Sequence, residues 1–259
     1  MTDIQPWLLL ALIGAGFLAG WVDAVGGGGG LIQLPALLLA FPQAAPVQLL
    51  ATNKLASACG TSVSAVTYYR RVRPDLRTAL PLAATAFLGS AFGATLASQI
   101  PKSWFNPIIL VALILVGGYT LAVPDLGKVT ALRFGGGKHL AAALVVGAAI
   151  GCYDGLLGPG TGSFLLFALV GLMGYDFLQA SAKAKIANLA TNLGALAVFI
   201  PRDAVSWGVG LAMGGANLVG GWTGARVAVA RGRGFIRGVF VVVVTGFIIR
   251  IGGQLLGWW

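Results

Sequence analysis

Two lysines, Lys54 and Lys185, lie inside long apolar stretches of the sequence, where a charged side chain is unusual. Each is followed by polar residues three and seven positions later, on the same face of a helix. These residues are Ser57, Thr61, Asn188 and Asn192. A lysine at the centre of a bilayer costs roughly 3 kcal/mol and indicates a functional site by default. We predict that the two polar faces line a pocket or path for an anion. The alternative is that both lysines extend to the membrane interface.

Two glycine-rich runs, VGGGGGL at 25–31 and LGPGTGS at 157–163, interrupt segments that are otherwise apolar. Glycine costs about 1 kcal/mol relative to alanine in a helix interior, so each run predicts a helix break. Non-helical backbone is tolerated at membrane depth only inside protein or beside water. Short helices beginning near Leu31 and Gly162 would present N-terminal N–H groups there, which favour an anion. The backbone candidates for this site are Gly27, Gly28, Gly29, Gly30, Gly158, Gly160 and Gly162.

An aspartate precedes each glycine run, Asp23 in the first and Asp154 in the second. Three roles are open for them: carrying a coupling proton, pairing with the lysines, or capping the amides of the broken backbone. We favour the last two, although protonation of a carboxylate beside an anion site would also change its affinity. Further candidates for hydrogen bonds to substrate oxygens are Gln33, Asn53, Thr61 and Thr161.

Residues that would support catalysis or metal binding are scarce. The chain has one histidine, His139, and two cysteines, Cys59 and Cys152, which are far apart in apolar segments. This set contains no spacing typical of a zinc site and no nucleophile–base pair. We therefore predict no catalytic residue, no metal, no cofactor and no enzymatic activity.

The composition predicts the class of fold that positions these residues. Of the 259 residues, 58% are hydrophobic and 9% are charged, whereas about 25% are charged in an ordinary soluble domain. The apolar runs are continuous and long, which predicts an all-α polytopic membrane protein rather than an outer-membrane barrel. The net charge of +10 comes from Arg and Lys residues that mostly lie between apolar runs. That distribution is typical of cytosolic loops and does not indicate binding of nucleic acid.

The sequence repeats itself with a constant offset of 131 residues. The offset pairs Asp23 with Asp154, Lys54 with Lys185, Gly16 with Gly147, Gly89 with Gly220, and Gly93 with Gly224. Aspartate and lysine are so scarce in this chain that a chance alignment does not explain the match. We divide the chain into a first transmembrane repeat (1–123), a linker (124–139) and a second transmembrane repeat (140–259).

Each repeat divides into five predicted helical pieces, which gives about 8–10 helical segments in total. The pieces span about 6–25, 31–41, 47–69, 76–99 and 103–123 in the first half, and about 138–157, 162–173, 178–200, 204–229 and 234–256 in the second. The second piece of each half is about 17 Å long, half of a hydrocarbon core of about 30 Å. It therefore cannot cross the membrane as an untilted helix.

The charges of the loops predict that the two repeats are inverted relative to each other. The strongly basic loop follows the third piece in the first half (70–77) and the fourth piece in the second half (231–237). Basic loops stay cytoplasmic, so equivalent loops lie on opposite sides of the membrane. Inversion requires an odd number of crossings, so the first two pieces of each half form either a Gly-broken hairpin or two full crossings. The basic linker is then cytoplasmic and both termini are periplasmic.

Four segments carry a resemblance to a known family. They are GFLAGWVDAVGGGGGLIQLPALLL, ATNKLASACGTSVSAVTYY, GCYDGLLGPGTGSFLLFAL and AKAKIANLATNLGAL. On these segments the chain resembles the TauE/SafE sulfite exporter family, also called the toluene sulfonate uptake permease family. The resemblance covers nearly the whole chain. It implies movement of sulfite, sulfonates or related sulfur-containing anions across the bacterial inner membrane, in either direction.

Inverted repeats with glycine-interrupted helices at corresponding positions are typical of secondary transporters. We expect a small sulfur-containing oxyanion to bind near the midplane, between the two glycine breaks and the two lysines, while the halves rock and expose it alternately. The alternatives are an anion channel, or a transporter of a non-sulfur anion such as a small carboxylate. The expected partners are the anion and the lipid bilayer, with a homodimer left open.

Overall fold

The structure, a computed structural model, describes residues 5–97, Ile114 and residues 129–255. This part of the chain is built from helices without strands, which confirms the predicted all-α class. The helices are α1 (Pro6–Gly26), α2 (Gly30–Ala40), α3 (Pro46–Val72), α4 (Leu76–Leu96), α5 (Gly136–Leu156), α6 (Thr161–Phe167), α7 (Phe177–Phe199) and α8 (Trp207–Leu255). Helix α8 is kinked at Gly232, whose φ of 73 and ψ of −164 are non-helical, and the kink lies between the predicted pieces 204–229 and 234–256. Helix α6 continues as a π-helical turn over Ala168–Leu172. The predicted piece 103–123, apart from Ile114, and linker residues 124–128 lie outside the described residues.

Four described helices are long and apolar enough to cross a membrane. They are α1, α4, α5, and α7 together with the following turn (Phe177–Arg202). Helix α3 is not among them although its 27 residues give it a length of about 40 Å. Its sequence is less apolar because one side carries buried polar residues, including Asn53, Lys54 and Thr61. That side faces the protein interior, so the low mean hydropathy of α3 comes in part from residues that are buried inside the protein.

The first glycine run ends α1 and turns the chain back on itself. Gly27, at the C-terminal cap of α1, has φ 81, a left-handed conformation that favours glycine. Gly29 then packs against α1, since a Cβ at this position would lie 2.6 Å from the carbonyl oxygen of Ala19. Helix α2 has only 11 residues, about half of the length that a crossing needs. This geometry is that of the predicted Gly-broken hairpin.

The main helix pairs join one repeat to the other. Helix α1 packs mainly against α8, and α4 packs mainly against α5. These two pairs correspond under the 131-residue offset, with α1 equivalent to α5 and α8 equivalent to α4. The closest contacts correspond as well: Gly20 packs against the backbone of Asn217, and the equivalent Gly151 packs against the backbone of Ala86. Small residues at such contacts allow helix backbones to approach closely.

Helices α3 and α7 cross at the axis that relates the repeats. Asn192 donates a hydrogen bond to Thr61 across the two helices, and these residues are equivalent under the 131-residue offset. Tyr68, seven residues after Thr61, bonds to the Ala24 carbonyl. Lys185, seven residues before Asn192, contacts the adjacent Asp23. The two helices therefore run antiparallel, and the two-fold axis is perpendicular to them. This arrangement is an inverted repeat.

Candidate functional site

The two glycine breaks meet in the middle of the molecule. The Gly27 carbonyl accepts a hydrogen bond of 2.9 Å from the backbone N–H of Ser163. The Ser163 hydroxyl donates to the Gly26 carbonyl at 3.0 Å. A Cβ added to Gly27 would lie 2.2 Å from the backbone carbon of Gly162, so the contact requires glycine. The beginnings of α2 and α6 are thereby brought to one place.

Each buried lysine pairs with the aspartate of the other repeat. The Lys54 ammonium lies 2.5 Å from Oδ1 of Asp154, and the Lys185 ammonium lies 2.8 Å from Oδ2 of Asp23. Lys185 also donates to the backbone carbonyl of Asp23. The two ion pairs are equivalent under the 131-residue offset. Both lysines are buried inside the protein, at most 2% exposed, and each ammonium is held by a carboxylate.

The aspartates also bind other groups beside the breaks. Oδ1 of Asp154 accepts a hydrogen bond of 2.6 Å from the Thr161 hydroxyl at the start of α6. Oδ1 of Asp23 accepts from the backbone N–H of Gly29 at 3.4 Å. Of the three roles left open from the sequence, the geometry combines two: the carboxylates pair with lysines and also bind groups of the broken backbone segments.

A small polar cavity lies between the breaks. Its volume is about 20 Å³, enough for about one water molecule. It is lined by Asp23, Gly27, Gly30, Asn53, Lys54, Ser57, Asp154, Gly158, Gly160, Thr161, Gly162, Asn188 and Asn192. All thirteen are candidates named from the sequence, and they come from both repeats.

Five candidates do not line the cavity. They are Gly28, Gly29, Gln33, Thr61 and Lys185. Lys185 lies behind Asp23, whereas its counterpart Lys54 is at the cavity wall. Gln33 lies behind Ser57 and accepts a hydrogen bond of 3.2 Å from its hydroxyl. The site is therefore less symmetric than the repeat, with Lys54 as the lysine nearest to a bound molecule.

Two residues that support the site were missed from the sequence. Asn217 donates a hydrogen bond of 3.2 Å to Oε1 of Gln33, and Ser90 donates to Oδ2 of Asp154 at 3.4 Å. Ser90 lies between Gly89 and Gly93, which the 131-residue offset pairs with Gly220 and Gly224. Asn217 is a polar residue in an apolar stretch of α8, and this context could have identified it as a candidate from the sequence.

Some hydrogen-bonding capacity beside the cavity is not used. Within residues 5–97 and 129–255, the buried Nε2 of Gln33 and Oδ1 of Asn53 have no hydrogen-bond partner. A buried polar atom without a partner is costly, so such atoms indicate a place for water or a ligand. Asn53 lies at the cavity wall and Gln33 is directly behind it.

Comparison with known proteins agrees with this architecture. The family model "Sulfite exporter TauE/SafE" matches residues 12–251, which is nearly the entire chain. The chain belongs to the TauE/SafE sulfite exporter family. The chain is therefore a membrane transporter of this family.

Several curated relatives match over almost their full length. "Probable membrane transporter protein ORF9" of Sinorhizobium sp is 37% identical over 258 residues, covering 97% of this chain and 95% of the relative. "Probable membrane transporter protein YfcA" of Escherichia coli K12 is 36% identical, covering 98% of this chain and 95% of the relative. A "Probable membrane transporter protein" of Haemophilus influenzae is 36% identical and covers 93% of both chains. No solved structure matches the chain significantly.

Proposed function

We propose that the chain is a secondary transporter that moves a small sulfur-containing oxyanion, such as sulfite or a sulfonate, across the bacterial inner membrane. The observation that carries this proposal is the pair of equivalent ion pairs, Lys54–Asp154 and Lys185–Asp23, beside a polar cavity at two glycine breaks. The sulfur chemistry rests on the printed name of the family.

In this proposal the substrate competes with a carboxylate that belongs to the protein. Asp154 occupies Lys54 in the present structure, and the cavity has room for about one water molecule. An oxyanion of four or more heavy atoms can bind only if the cavity widens and Asp154 releases Lys54. Protonation of Asp154 would favour that release, because a neutral carboxyl is a weaker partner for an ammonium group. A proton is therefore the coupling ion that we propose.

The packing suggests which parts move during transport. Because α4 and α8 pack with the opposite repeat, one compact group is α1, α2, α3 and α8, and the other is α4, α5, α6 and α7. Both ion pairs and the Gly27–Gly162 contact join these groups. We propose that these groups, rather than the halves 1–123 and 140–259, rock about the bound anion. The linker is cytoplasmic in this proposal and both termini are periplasmic.

The test is the flux of labelled sulfite and of a small labelled sulfonate into proteoliposomes. Wild-type protein is compared with Lys54→Ala and Lys185→Ala, and Lys183→Ala is the matched control. Lys183 is also buried in α7, two residues from Lys185, but its ammonium donates to the Asp75 carbonyl at 2.8 Å and does not line the cavity. We expect wild-type flux, at least a hundredfold loss in Lys54→Ala, a clear loss in Lys185→Ala, and preserved flux in Lys183→Ala.

Other results would show which part of this proposal is wrong: the substrate, the site or the transport mechanism. If the wild type moves neither anion but moves a small carboxylate, the sulfur substrate is wrong and the site remains. If both site variants fold and transport as well as the wild type, the site is wrong. Flux that does not respond to a proton gradient, at rates above those of a carrier, would favour an anion channel.

A further inference from the structure

A second recess lies on the outer surface, between the C-terminal half of α3 and α8. Its volume is about 410 Å³, within the range of sites that bind small molecules. We call it the arginine groove, and its lining consists of Ser62, Val63, Val66, Thr67, Arg70, Arg71, Trp222 and Arg226. None of these residues lines the cavity between the glycine breaks.

Three cations are concentrated at the arginine groove. Arg70, Arg71 and Arg226 are all exposed, and none of them forms an ion pair with a described carboxylate. The guanidinium carbon of Arg226 lies 4.0 Å from the centre of the Trp222 ring. Such stacking holds the guanidinium in place while its N–H groups stay available.

Besides the arginines, the arginine groove has an apolar wall of Val63, Val66 and Trp222, with the hydroxyl residues Ser62 and Thr67 among them, and it faces outward from a membrane helix pair. Val66 is 49% exposed and Trp222 is 41% exposed. Val63 lies one turn of α3 before Thr67, further from the basic loop. The recess therefore has a cationic end, next to the loop 70–77, and an apolar wall that continues into the membrane-embedded part of the protein.

The internal repeat provides a comparison for this feature. The positions equivalent to Arg70 and Arg226 are Pro201 and Thr95, whereas the position equivalent to Arg71 is Arg202, and the position equivalent to Trp222 is Ala91. The position equivalent to Val63 is Gly194, where the helices are in close contact: a Cβ there would lie 2.3 Å from the carbonyl oxygen of Phe87. The repeated fold alone thus does not produce the recess or the cluster of three arginines. It is confined to the side with the excess of basic residues.

We propose that the arginine groove binds an anionic phospholipid of the surrounding membrane. The guanidinium groups bind the headgroup phosphate, for which their planar N–H pairs are well suited. An acyl chain lies along Val63, Val66 and Trp222. Basic pockets between transmembrane helices are known to hold anionic lipids on the cytoplasmic side, and loop charge places this end of α3 in the cytoplasm.

A lipid explains the arginine groove better than the other occupants. A free phosphate or oxyanion would use the three arginines but leave the apolar wall without a role. A second copy of the chain, packed through the same face by two-fold symmetry, would bring six unpaired guanidinium groups together. An anionic lipid places its phosphate among the arginines and covers the apolar wall at the same time.

The experiment measures lipid adducts of the full chain in detergent by native mass spectrometry, during titration with phosphatidylglycerol or phosphatidylcholine. The test variant carries Arg70→Gln, Arg71→Gln and Arg226→Gln. The matched control carries Arg73→Gln, Arg77→Gln and Arg231→Gln, which remove three charges from the same loop and helix but lie outside the groove. We expect the wild type to prefer phosphatidylglycerol at least tenfold.

We expect the test variant to bind phosphatidylglycerol about a hundredfold more weakly, since each basic group near an anionic surface contributes about fivefold. Phosphatidylcholine, whose choline ammonium opposes the arginines, is expected to lose only about tenfold, so the preference for phosphatidylglycerol disappears in the test variant. The control variant stays within threefold of the wild type for both lipids. Equal losses in both variants would overturn the proposal, because only total charge would then matter.

Two further outcomes can be measured on the wild type alone, so they do not depend on whether a variant folds. Displacement of phosphatidylglycerol by millimolar inorganic phosphate would overturn the lipid in favour of a free anion. A wild-type dimer whose formation excludes bound phosphatidylglycerol would assign the face to a second copy. Transport by the test variant is expected to persist. Lipid binding can therefore fail while the proposed transport function stands, and the transport function can fail while lipid binding stands.

Discussion

At the scale of residues, stability depends on the buried ion pair between Lys54 and Asp154, whose side chains are both 2% exposed. A buried charge is tolerated only with its partner, and the loss of one partner leaves the other uncompensated. In the proposed function the same pair also limits access to the substrate, because Lys54 is at the cavity wall. Stability and transport therefore depend on it in different ways, and these can be separated by mutation.

We predict that Lys54→Met lowers the free energy of unfolding by about 3 to 5 kcal/mol. The double variant Lys54→Met with Asp154→Leu is expected to regain most of this loss, because no buried charge is left unpaired. Neither variant is expected to transport. Thermal unfolding in detergent and flux in proteoliposomes measure the two properties. A double variant that stays as unstable as the single one would show that Lys54 contributes through contacts other than the pair.

At the scale of elements, close approach between helices depends on particular glycines. In α1, a Cβ on Gly20 would lie 2.2 Å from the Asn217 carbonyl oxygen of α8, whereas Gly14 has open space around it. We predict that Gly20→Ala destabilises the protein by about 1 to 3 kcal/mol through overpacking. Gly14→Ala is expected to stabilise it by up to about 1 kcal/mol, from helix propensity.

The equivalent substitution in the second repeat extends this prediction. Gly151→Ala in α5 should destabilise the protein as Gly20→Ala does, because its Cβ would lie 2.3 Å from the Ala86 carbonyl oxygen. Thermal unfolding of all three variants gives the comparison. If Gly14→Ala were as harmful as Gly20→Ala, the interface between α1 and α8 would not be the cause.

The contact between the two glycine breaks gives a second prediction about elements. A Cβ on Gly162 would lie 2.6 Å from the Cα of Gly27, while a Cβ on Gly30 would meet nothing closer than 3.4 Å. Both glycines line the cavity. We therefore expect Gly162→Ala to abolish transport by forcing the breaks apart, and Gly30→Ala to retain it. Flux per folded protein is the measurement, and equal loss in both variants would indicate a general intolerance of side chains in the cavity.

At the scale of the whole molecule, the antiparallel arrangement of α3 and α7 puts the turns that follow them at opposite ends. Arg73 and Asp203 are exposed in these turns. We predict opposite labelling of single cysteines, Arg73→Cys or Asp203→Cys, in a chain that also carries Cys59→Ala and Cys152→Ala. A membrane-impermeant maleimide should label Asp203→Cys from the periplasm, and Arg73→Cys only after the inner membrane is disrupted. Labelling of both from one side would contradict the inverted topology.

Much of the fold could be predicted from the sequence because the signals are local. The glycine runs predict the helix breaks, and Gly27 shows the left-handed conformation that such a run allows. The predicted pieces 6–25 and 76–99 correspond to α1 and α4, which begin at Pro6 and Leu76. The offset between equivalent residues also required no structure, because lysine and aspartate are so rare in this chain.

The sequence by itself determined the class of protein, the repeat and thirteen of the residues around the cavity, because composition, periodicity and rare polar residues are properties of the chain alone. Only the tertiary structure decided that Lys54 pairs with Asp154 rather than with Asp23 of its own repeat. It also decided that Lys185 lies behind Asp23, away from the cavity. The physical reason is that packing between the two repeats brings these partners together. No local sequence signal specifies that α4 packs against the second repeat and α8 against the first.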